Sequence, residues 1–204
     1  MISTDEERRL WTRALTFLEH GRPGDIEHTR SVVAYGKILL ANEGGSPQVV
    51  IPSLILHDVG WSRVDFSDFM TAPAEAKKDV DSVHLHMRYG TQIASDILND
   101  LGWDLTLIQR ITSIIAVHDI PEKVMALDDH NATLVFEADW LDKYFPARQQ
   151  RYFREVRDQA ALDQIREILE TNKSQWFRTR TSKELLTRIM AGEKIGAGLY
   201  ADDQ

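Results

Sequence analysis

The chain has 204 residues, contains no cysteine and carries a formal net charge of -8. This length suits a single domain with its own core, and the missing cysteine excludes disulfide bonds and cysteine-ligated zinc sites. The acidic charge argues against a nucleic-acid polymer as partner, because such a partner requires a basic face opposite its phosphates.

Two further absences in the sequence concern location. No apolar run approaches the roughly 20 residues of a membrane span. Residues 1–9 are polar and acidic, without the apolar segment of a secretory signal. We therefore expect a cytoplasmic protein with no membrane partner.

The first two predicted elements are helices separated by a glycine-rich break. The first helix is predicted over about 4–20 and ends at Gly21-Arg22-Pro23-Gly24. Asp25 is the expected N-cap of the second helix. There His28 shares one helical face with Val32 and Tyr35.

The third predicted helix leads into a His-Asp pair. Pro47 or Pro52 is expected in its first turn, where a missing N–H costs nothing. Asp58 lies in line with an apolar stripe, and His57 is one position round. Gly60 to Ser82 is the longest poorly periodic segment, which favours a surface loop or a binding loop in equal measure.

The rest of the chain is also predicted to be helical, and strand-like alternation is absent. Further helices are predicted over about 83–99, 104–118, 132–144 and 148–169, with a last one from Thr181 or Ser182. We predict an all-α fold with one domain over 1–204. Its core covers about 20–145, and C-terminal helices cover about 146–192.

Five predicted helices place a metal-ligand residue type in line with an apolar stripe: His28, Asp58, His86, His118 and Asp139. A buried carboxylate without compensation costs several kcal/mol. No lysine or arginine lies on those stripes, so one or two metal ions supply the missing positive charge with the fewest assumptions. Imidazole and carboxylate ligands suit Fe, Mn, Zn or Ni.

These motifs follow one another in an order that resembles the HD-domain superfamily of metal-dependent phosphohydrolases. The order is His28, then Leu54-Ile55-Leu56-His57-Asp58-Val59-Gly60, then Asp139 within Glu137-Ala138-Asp139-Trp140-Leu141-Asp142. His86-Met87-Arg88-Tyr89-Gly90 and Ile114-Ile115-Ala116-Val117-His118 resemble members with two extra histidines. The resemblance covers about 20–145 and implies an HD-domain helical bundle.

The resemblance also implies a binuclear centre with two divalent transition-metal ions. Asp58 would bridge the ions, and the pair His57 and Asp58 would form the catalytic core. His28, His57 and Asp139 would hold one ion. His86 and His118 would hold the other. His84 competes with His86, but the two point about 200° apart on a helix, and His86 is in register with the apolar residues.

The sequence departs from the family where Trp61 follows Gly60, because many relatives have lysine there. Candidates to bind the substrate anion instead are Arg63, Arg88 and Lys143. Asp119 and Asp142 are candidates to orient the imidazoles of metal ligands. Aromatic residues that could line a pocket are Trp61, Phe66, Phe69 and Trp140.

Three functions are consistent with these residues. A hydrolase would use metal-activated water against a small phosphorylated substrate. A di-iron oxygenase related to myo-inositol oxygenase would use the same four histidines and two aspartates. A non-catalytic metal- or ligand-binding sensor would keep the site without turnover. The pattern of residues cannot separate them, and it does not indicate an oligomeric state.

Overall fold

Nine α-helices and one 3₁₀ helix form the part of the chain described by the computed structural model, residues 2–65, 81–145, 159–193 and 195. No strand occurs among these residues, so the all-α prediction is confirmed. The helices are α1 (Thr4–Leu18), α2 (Asp25–Glu43), α3 (Pro47–Leu56), the 3₁₀ helix (Val59–Arg63), α4 (Asp81–Asp100), α5 (Leu105–Ile115), α6 (Pro121–Ala126), α7 (His130–Lys143), α8 (Gln159–Trp176) and α9 (Arg180–Met190).

The helix starts follow ordinary capping chemistry, with one correction. Ser3 and Glu6 form a capping box at the start of α1. The prediction that Asp25 caps α2 was wrong by one residue, because Gly24 is the N-cap, with φ 86°. The Asp25 carboxylate instead accepts hydrogen bonds from Arg22, at 2.7 Å from its backbone N and 3.0 Å from its Nε. The chain before α2 is thereby fixed against the helix start.

Helix α3 is the central helix of the bundle. Pro47 occupies its first turn as predicted, whereas Pro52 lies in its interior. Every residue from Val49 to Leu56 is buried, because α3 packs against α1, α2, α5 and α7. A helix that is apolar on all sides belongs inside a core rather than at its edge. The residues that follow the end of α3 therefore lie in the interior.

Helix α9 is attached to the core by two carboxylates. Glu137, fully buried on α7, accepts hydrogen bonds from the backbone N of Arg178 and Thr179. Glu43, at the end of α2, accepts one from the backbone N of Thr181 at 2.7 Å. The bond to Glu43 satisfies one of the first N–H groups of α9, which have no partner within the helix. The bonds to Glu137 fix the chain just before the helix.

Some predicted features lie outside the described residues. They are Phe66, Phe69, most of the predicted loop from Gly60 to Ser82, the start of the helix predicted from Arg148, and the tail from Gly196. Within the described part, no helix combines the length and the apolar character needed to cross a membrane.

Candidate metal centre

The His57-Asp58 pair lies where α3 ends and the chain turns into the 3₁₀ helix. His57 is the C-cap of α3, and Asp58 precedes the 3₁₀ helix with φ -103° and ψ 2°. The 3₁₀ helix packs against α4 through Gly60, where an added Cβ would lie 1.9 Å from the His86 carbonyl oxygen. This close approach brings the His-Asp pair next to His86.

The structure brings all six predicted ligand residues together. His28 lies in the first turn of α2, His86 on α4, His118 three residues after the end of α5, and Asp139 on α7. Each of the six, including His57 and Asp58, is at most 3% exposed. Helices that are distant in sequence therefore converge on one buried polar cluster.

One half of the cluster contains His28, His57 and Asp139 around one oxygen of Asp58. The Nε2 atoms of His28 and His57 are 3.1 Å apart. Asp139 Oδ1 is 3.1 Å from His28 Nε2 and 3.8 Å from His57 Nε2. Asp58 Oδ2 is 3.4 Å and 3.2 Å from the same two nitrogens. Four potential ligand atoms thus face a common point.

The other half contains His86 and His118 around the second oxygen of Asp58. Their Nε2 atoms are 3.4 Å apart. Asp58 Oδ1 is 3.7 Å from His86 Nε2 and 3.6 Å from His118 Nε2. Asp119 also faces this half, with Oδ2 3.4 Å from His86 Nε2 and 3.9 Å from His118 Nε2. The two oxygens of Asp58 therefore point to different pairs of histidines.

Three of the imidazoles are oriented through Nδ1. Asp142 Oδ2 lies 2.7 Å from His28 Nδ1. His57 Nδ1 donates to the Leu54 carbonyl, and His118 Nδ1 donates to the Ile115 carbonyl, each at 2.8 Å. A carbonyl can only accept, so these Nδ1 atoms carry hydrogen and a neutral ring has its lone pair on Nε2.

His86 is held differently. Its ring stacks on Trp61 at 4.2 Å between centroids, and burial lowers its pKa to about 3. Its Nδ1 has no hydrogen-bond partner among the described residues. The stack on Trp61, rather than a hydrogen bond through Nδ1, therefore orients the His86 ring.

The facing imidazole nitrogens require a positive charge between them. Burial disfavours the charged forms of His57 and His118, but Asp58 outweighs this and raises the pKa of both. A proton can join only two of these atoms, whereas sets of three ligand atoms lie within 4.8 Å of one another. The N and O donor set and its convergence fit divalent transition-metal ions.

Three carboxylates of the cluster, Asp58, Asp119 and Asp139, are ionised. Burial raises the pKa of a carboxyl group, but Arg22 outweighs this at Asp58, and its pKa lies well below the ordinary range. Lys143 outweighs burial at Asp139 and Asp119, whose pKa values are lowered, to about 2 for Asp119. All three therefore present negative charge to the imidazoles.

Two cations contact these carboxylates, and one of them corrects the prediction that no lysine or arginine lies on the stripes. Arg22, from the glycine-rich break, pairs with Asp58 and lies over Trp61 at 4.4 Å. Lys143 Nζ is 3.1 Å from Asp139 Oδ2. Arg22 precedes α2 and lies off the stripes, whereas Lys143 lies four residues after Asp139 and therefore on the same face of α7. Negative charge still exceeds these two cations, since the lowered pKa values keep three carboxylates ionised, those of Asp58, Asp119 and Asp139.

Trp61 itself has a polar role. Its Nε1 donates to Asp58 Oδ1 at 3.1 Å, and its ring is 2% exposed. Trp61 therefore contacts the central carboxylate and a histidine at once, rather than lining an open pocket.

Of the three predicted anion-binding residues, the structure places only Lys143 at the cluster. Arg63 and Arg88 are exposed, and within the described ranges neither contacts the six ligand residues. Arg88 is two positions from His86, so it lies on the opposite face of α4. His84 is exposed for the same reason, whereas His86 is fully buried.

Comparison with known proteins gives one match. A family model described as HD domain matches residues 25–144, which is more than half of the chain. The matched range begins with α2 and ends one residue after α7, so it contains the whole cluster. No curated protein and no solved structure matches the chain.

Proposed function

Since the chain belongs to the HD-domain family, we propose that it is a metal-dependent phosphohydrolase with two divalent transition-metal ions and a small phosphoester substrate. One ion would be held by His28, His57 and Asp139. The other would be held by His86 and His118, and Asp58 would bridge the two.

One observation carries this proposal: the two oxygens of Asp58 face two separate histidine pairs. Oδ2 lies within 3.4 Å of His28 and His57 Nε2. Oδ1 lies within 3.7 Å of His86 and His118 Nε2. A single ion would need only one of these pairs. A carboxylate that serves both pairs supports a bridge between two ions.

The chemistry of the proposed centre is that of Lewis acids. Two ions would supply positive charge to a phosphoryl oxygen and lower the pKa of a water molecule, so that it can attack phosphorus at neutral pH. The chain itself supplies orientation. Asp142 holds His28 by its Nδ1, and Trp61 and Arg22 hold the Asp58 carboxylate.

Lys143 is the best-placed side chain for the substrate anion. Its Nζ lies beside Asp139 and Asp119, and its side chain is 29% exposed, compared with 15% for Arg22. An ammonium group at the edge of the centre can contact solvent and a phosphate oxygen together. With a chain charge of -8, Lys143 and the ions would provide most of the local attraction for a phosphate.

The test is metal content combined with turnover. Protein stripped by a chelator is reloaded without oxygen with Mn(II), and the ions per chain are counted by mass spectrometry. We expect two ions and slow phosphate release from p-nitrophenyl phosphate. Asp58→Ala should bind neither ion firmly, whereas Asp96→Ala, an exposed position on α4, should behave like the unchanged protein.

Three outcomes would change this assignment. A fully loaded protein that holds one ion would contradict the binuclear centre. An inactive Mn form, together with an Fe form that consumes dioxygen when offered a polyol or a phosphonate, would establish the oxygenase instead. Two bound ions without turnover in either form would leave a binding or sensor module.

A further inference from the structure

We infer that Asp119 is a direct ligand of the second metal ion, so that both ions have the same set of protein ligands. Each ion would then be held by two histidines, one oxygen of the bridging Asp58 and one terminal carboxylate. The terminal carboxylate is Asp139 in the first site and Asp119 in the second. This inference rests on the proposed binuclear function and adds a ligand to it.

The geometry of Asp119 matches that of Asp139. Asp119 Oδ2 lies 3.4 Å and 3.9 Å from the Nε2 atoms of its histidine pair. Asp139 Oδ1 lies 3.1 Å and 3.8 Å from the Nε2 atoms of the other pair. Both aspartates thus approach the Nε2 nitrogens, which would bind a metal ion. An orienting carboxylate would instead contact Nδ1. Asp142 provides the contrast, because it contacts His28 through Nδ1.

Lys143 contacts both aspartates at nearly the same distance. Its Nζ lies 3.0 Å from Asp119 Oδ1 and 3.1 Å from Asp139 Oδ2. The lysine therefore contacts one oxygen of each carboxylate. The other oxygen of each carboxylate faces a histidine pair. An ion pair with Lys143 explains the position of Asp119 Oδ1 but not that of Oδ2.

A metal ion would account for the position of Asp119 Oδ2 beside two imidazole nitrogens. His118 Nδ1 donates to the Ile115 carbonyl, so a neutral His118 presents a lone pair from Nε2. A carboxylate oxygen and an imidazole lone pair repel each other in a buried site unless a positive charge lies between them. A metal ion satisfies both atoms together with Asp58 Oδ1.

The end of α5 explains how two consecutive residues reach the same site. On a continuous helix, neighbouring side chains diverge by about 100°. Helix α5 ends at Ile115, however, and a turn follows in which the Ile120 backbone N donates to the Val117 carbonyl at 2.8 Å. His118 and Asp119 lie in this turn, so both side chains can face the cluster.

The experiment measures the second equivalent of metal in variants. Stripped protein is titrated with Co(II), followed by visible absorption and by metal analysis after dialysis. In Asp119→Ala we expect the first equivalent to bind as in the unchanged protein. The dissociation constant of the second should rise more than about 100-fold, beyond the roughly 10- to 100-fold typical of losing an orienting partner. The absorption spectrum of the second equivalent should also change.

Two further variants separate a ligand from a salt-bridge partner. Lys143→Met removes the ion pair and leaves Asp119 in place, so the second ion should be retained with a loss of about 10-fold or less. Asp119→Asn keeps the shape of the side chain. It replaces Asp119→Ala in the experiment if circular dichroism shows that Asp119→Ala does not fold. We expect it to weaken the second equivalent alone.

The contrary outcomes are distinct. If Asp119→Ala and Asp119→Asn bind both equivalents like the unchanged protein, the ligand role is overturned and the binuclear centre stands. An equal loss of the second ion in Lys143→Met and Asp119→Ala would also overturn it, because Asp119 would then act through its ion pair. If the unchanged protein itself binds fewer than two ions, the proposed function fails and this inference fails with it.

Discussion

Gly60 and Gly90 pack backbone against backbone where the 3₁₀ helix meets α4. A Cβ on Gly60 would lie 2.4 Å from the Gly90 nitrogen and 2.9 Å from its Cα. Backbone atoms cannot move aside as the end of a flexible side chain can, so only glycine fits at position 60. The contact holds the His57-Asp58 turn against the helix that carries His86.

The first prediction follows from this contact. Gly60→Ala should force α4 and the 3₁₀ helix apart and destabilise the protein by about 1–3 kcal/mol or more. It should also reduce binding of the second ion, because Asp58 and His86 would separate. Gly36→Ala is the comparison for a clash with a side chain alone, because its Cβ would lie 2.2 Å from Leu54 Cδ1 and 3.7 Å from Leu54 Cγ and Val50 Cγ1, with no backbone atom among them. Urea unfolding and metal analysis measure both effects, and a Gly60→Ala protein as stable and as well loaded as the Gly36→Ala protein would contradict the packing argument.

The second prediction separates the two neighbouring histidines on α4. His86→Ala should lower the metal content towards one ion per chain and reduce activity at least about 100-fold, because a buried ligand is lost. His84→Ala should change neither quantity, since its side chain is exposed. Metal analysis of both proteins measures which histidine is needed for the second ion. Loss of metal in His84→Ala alone would mean that α4 faces the cluster in another register.

The third prediction concerns Asp142 as the residue that orients His28. Asp142→Ala should weaken the first metal equivalent about 10- to 100-fold, while the second equivalent changes less. Asp96→Ala removes an exposed carboxylate from α4 and serves as the control. Competition with a chelating dye measures the affinities. Unchanged affinity for the first equivalent would show that the 2.7 Å contact with His28 does not position the ring.

The fourth prediction tests Lys143 against Arg88 as the contact for the substrate anion. Lys143→Met should lower kcat/KM about 10-fold or more, mainly through KM, since a charge-assisted hydrogen bond contributes about 1.5–3 kcal/mol. Arg88→Met should leave KM unchanged, because Arg88 is exposed and lies over Tyr89. Initial rates with p-nitrophenyl phosphate measure both variants. A larger rise of KM in Arg88→Met would contradict the assignment.

The fifth prediction concerns pH and is independent of the centre. Asp129 caps α7, and although burial opposes it, the hydrogen bond from Arg110 lowers the pKa of Asp129 to about 2. Because the pKa is lower in the folded protein, the ionised carboxyl group stabilises the fold at a pH above about 4. This contribution is lost as the pH falls from about 4 to 2. Asp129→Ala should therefore cost about 1 kcal/mol at pH 6.

Unfolding in urea at several pH values measures this difference. The gap in unfolding free energy between the two proteins should narrow as the pH approaches 3, because the Asp129 carboxyl takes up a proton in the unfolded chain while it is still ionised in the folded protein. A gap that stays constant or widens towards low pH would show that the carboxylate charge does not contribute to the cap.

Much of the fold and of the cluster could be predicted from the sequence. Apolar periodicity predicts an all-helical chain, and it places His28, His86 and Asp139 on inward faces. The same periodicity favours His86 over His84. These predictions succeed because a regular helix fixes the direction of each side chain relative to its neighbours in sequence.

The tertiary structure decided the rest, since the remaining partners lie where no helical period applies. Arg22 lies in a glycine-rich break, Trp61 in the 3₁₀ helix, and Asp119 in the turn after α5. Their directions depend on how the glycine-rich break, the 3₁₀ helix and that turn pack against the neighbouring helices. Only packing shows that the two oxygens of Asp58 face different histidine pairs, because those distances join helices far apart in the chain.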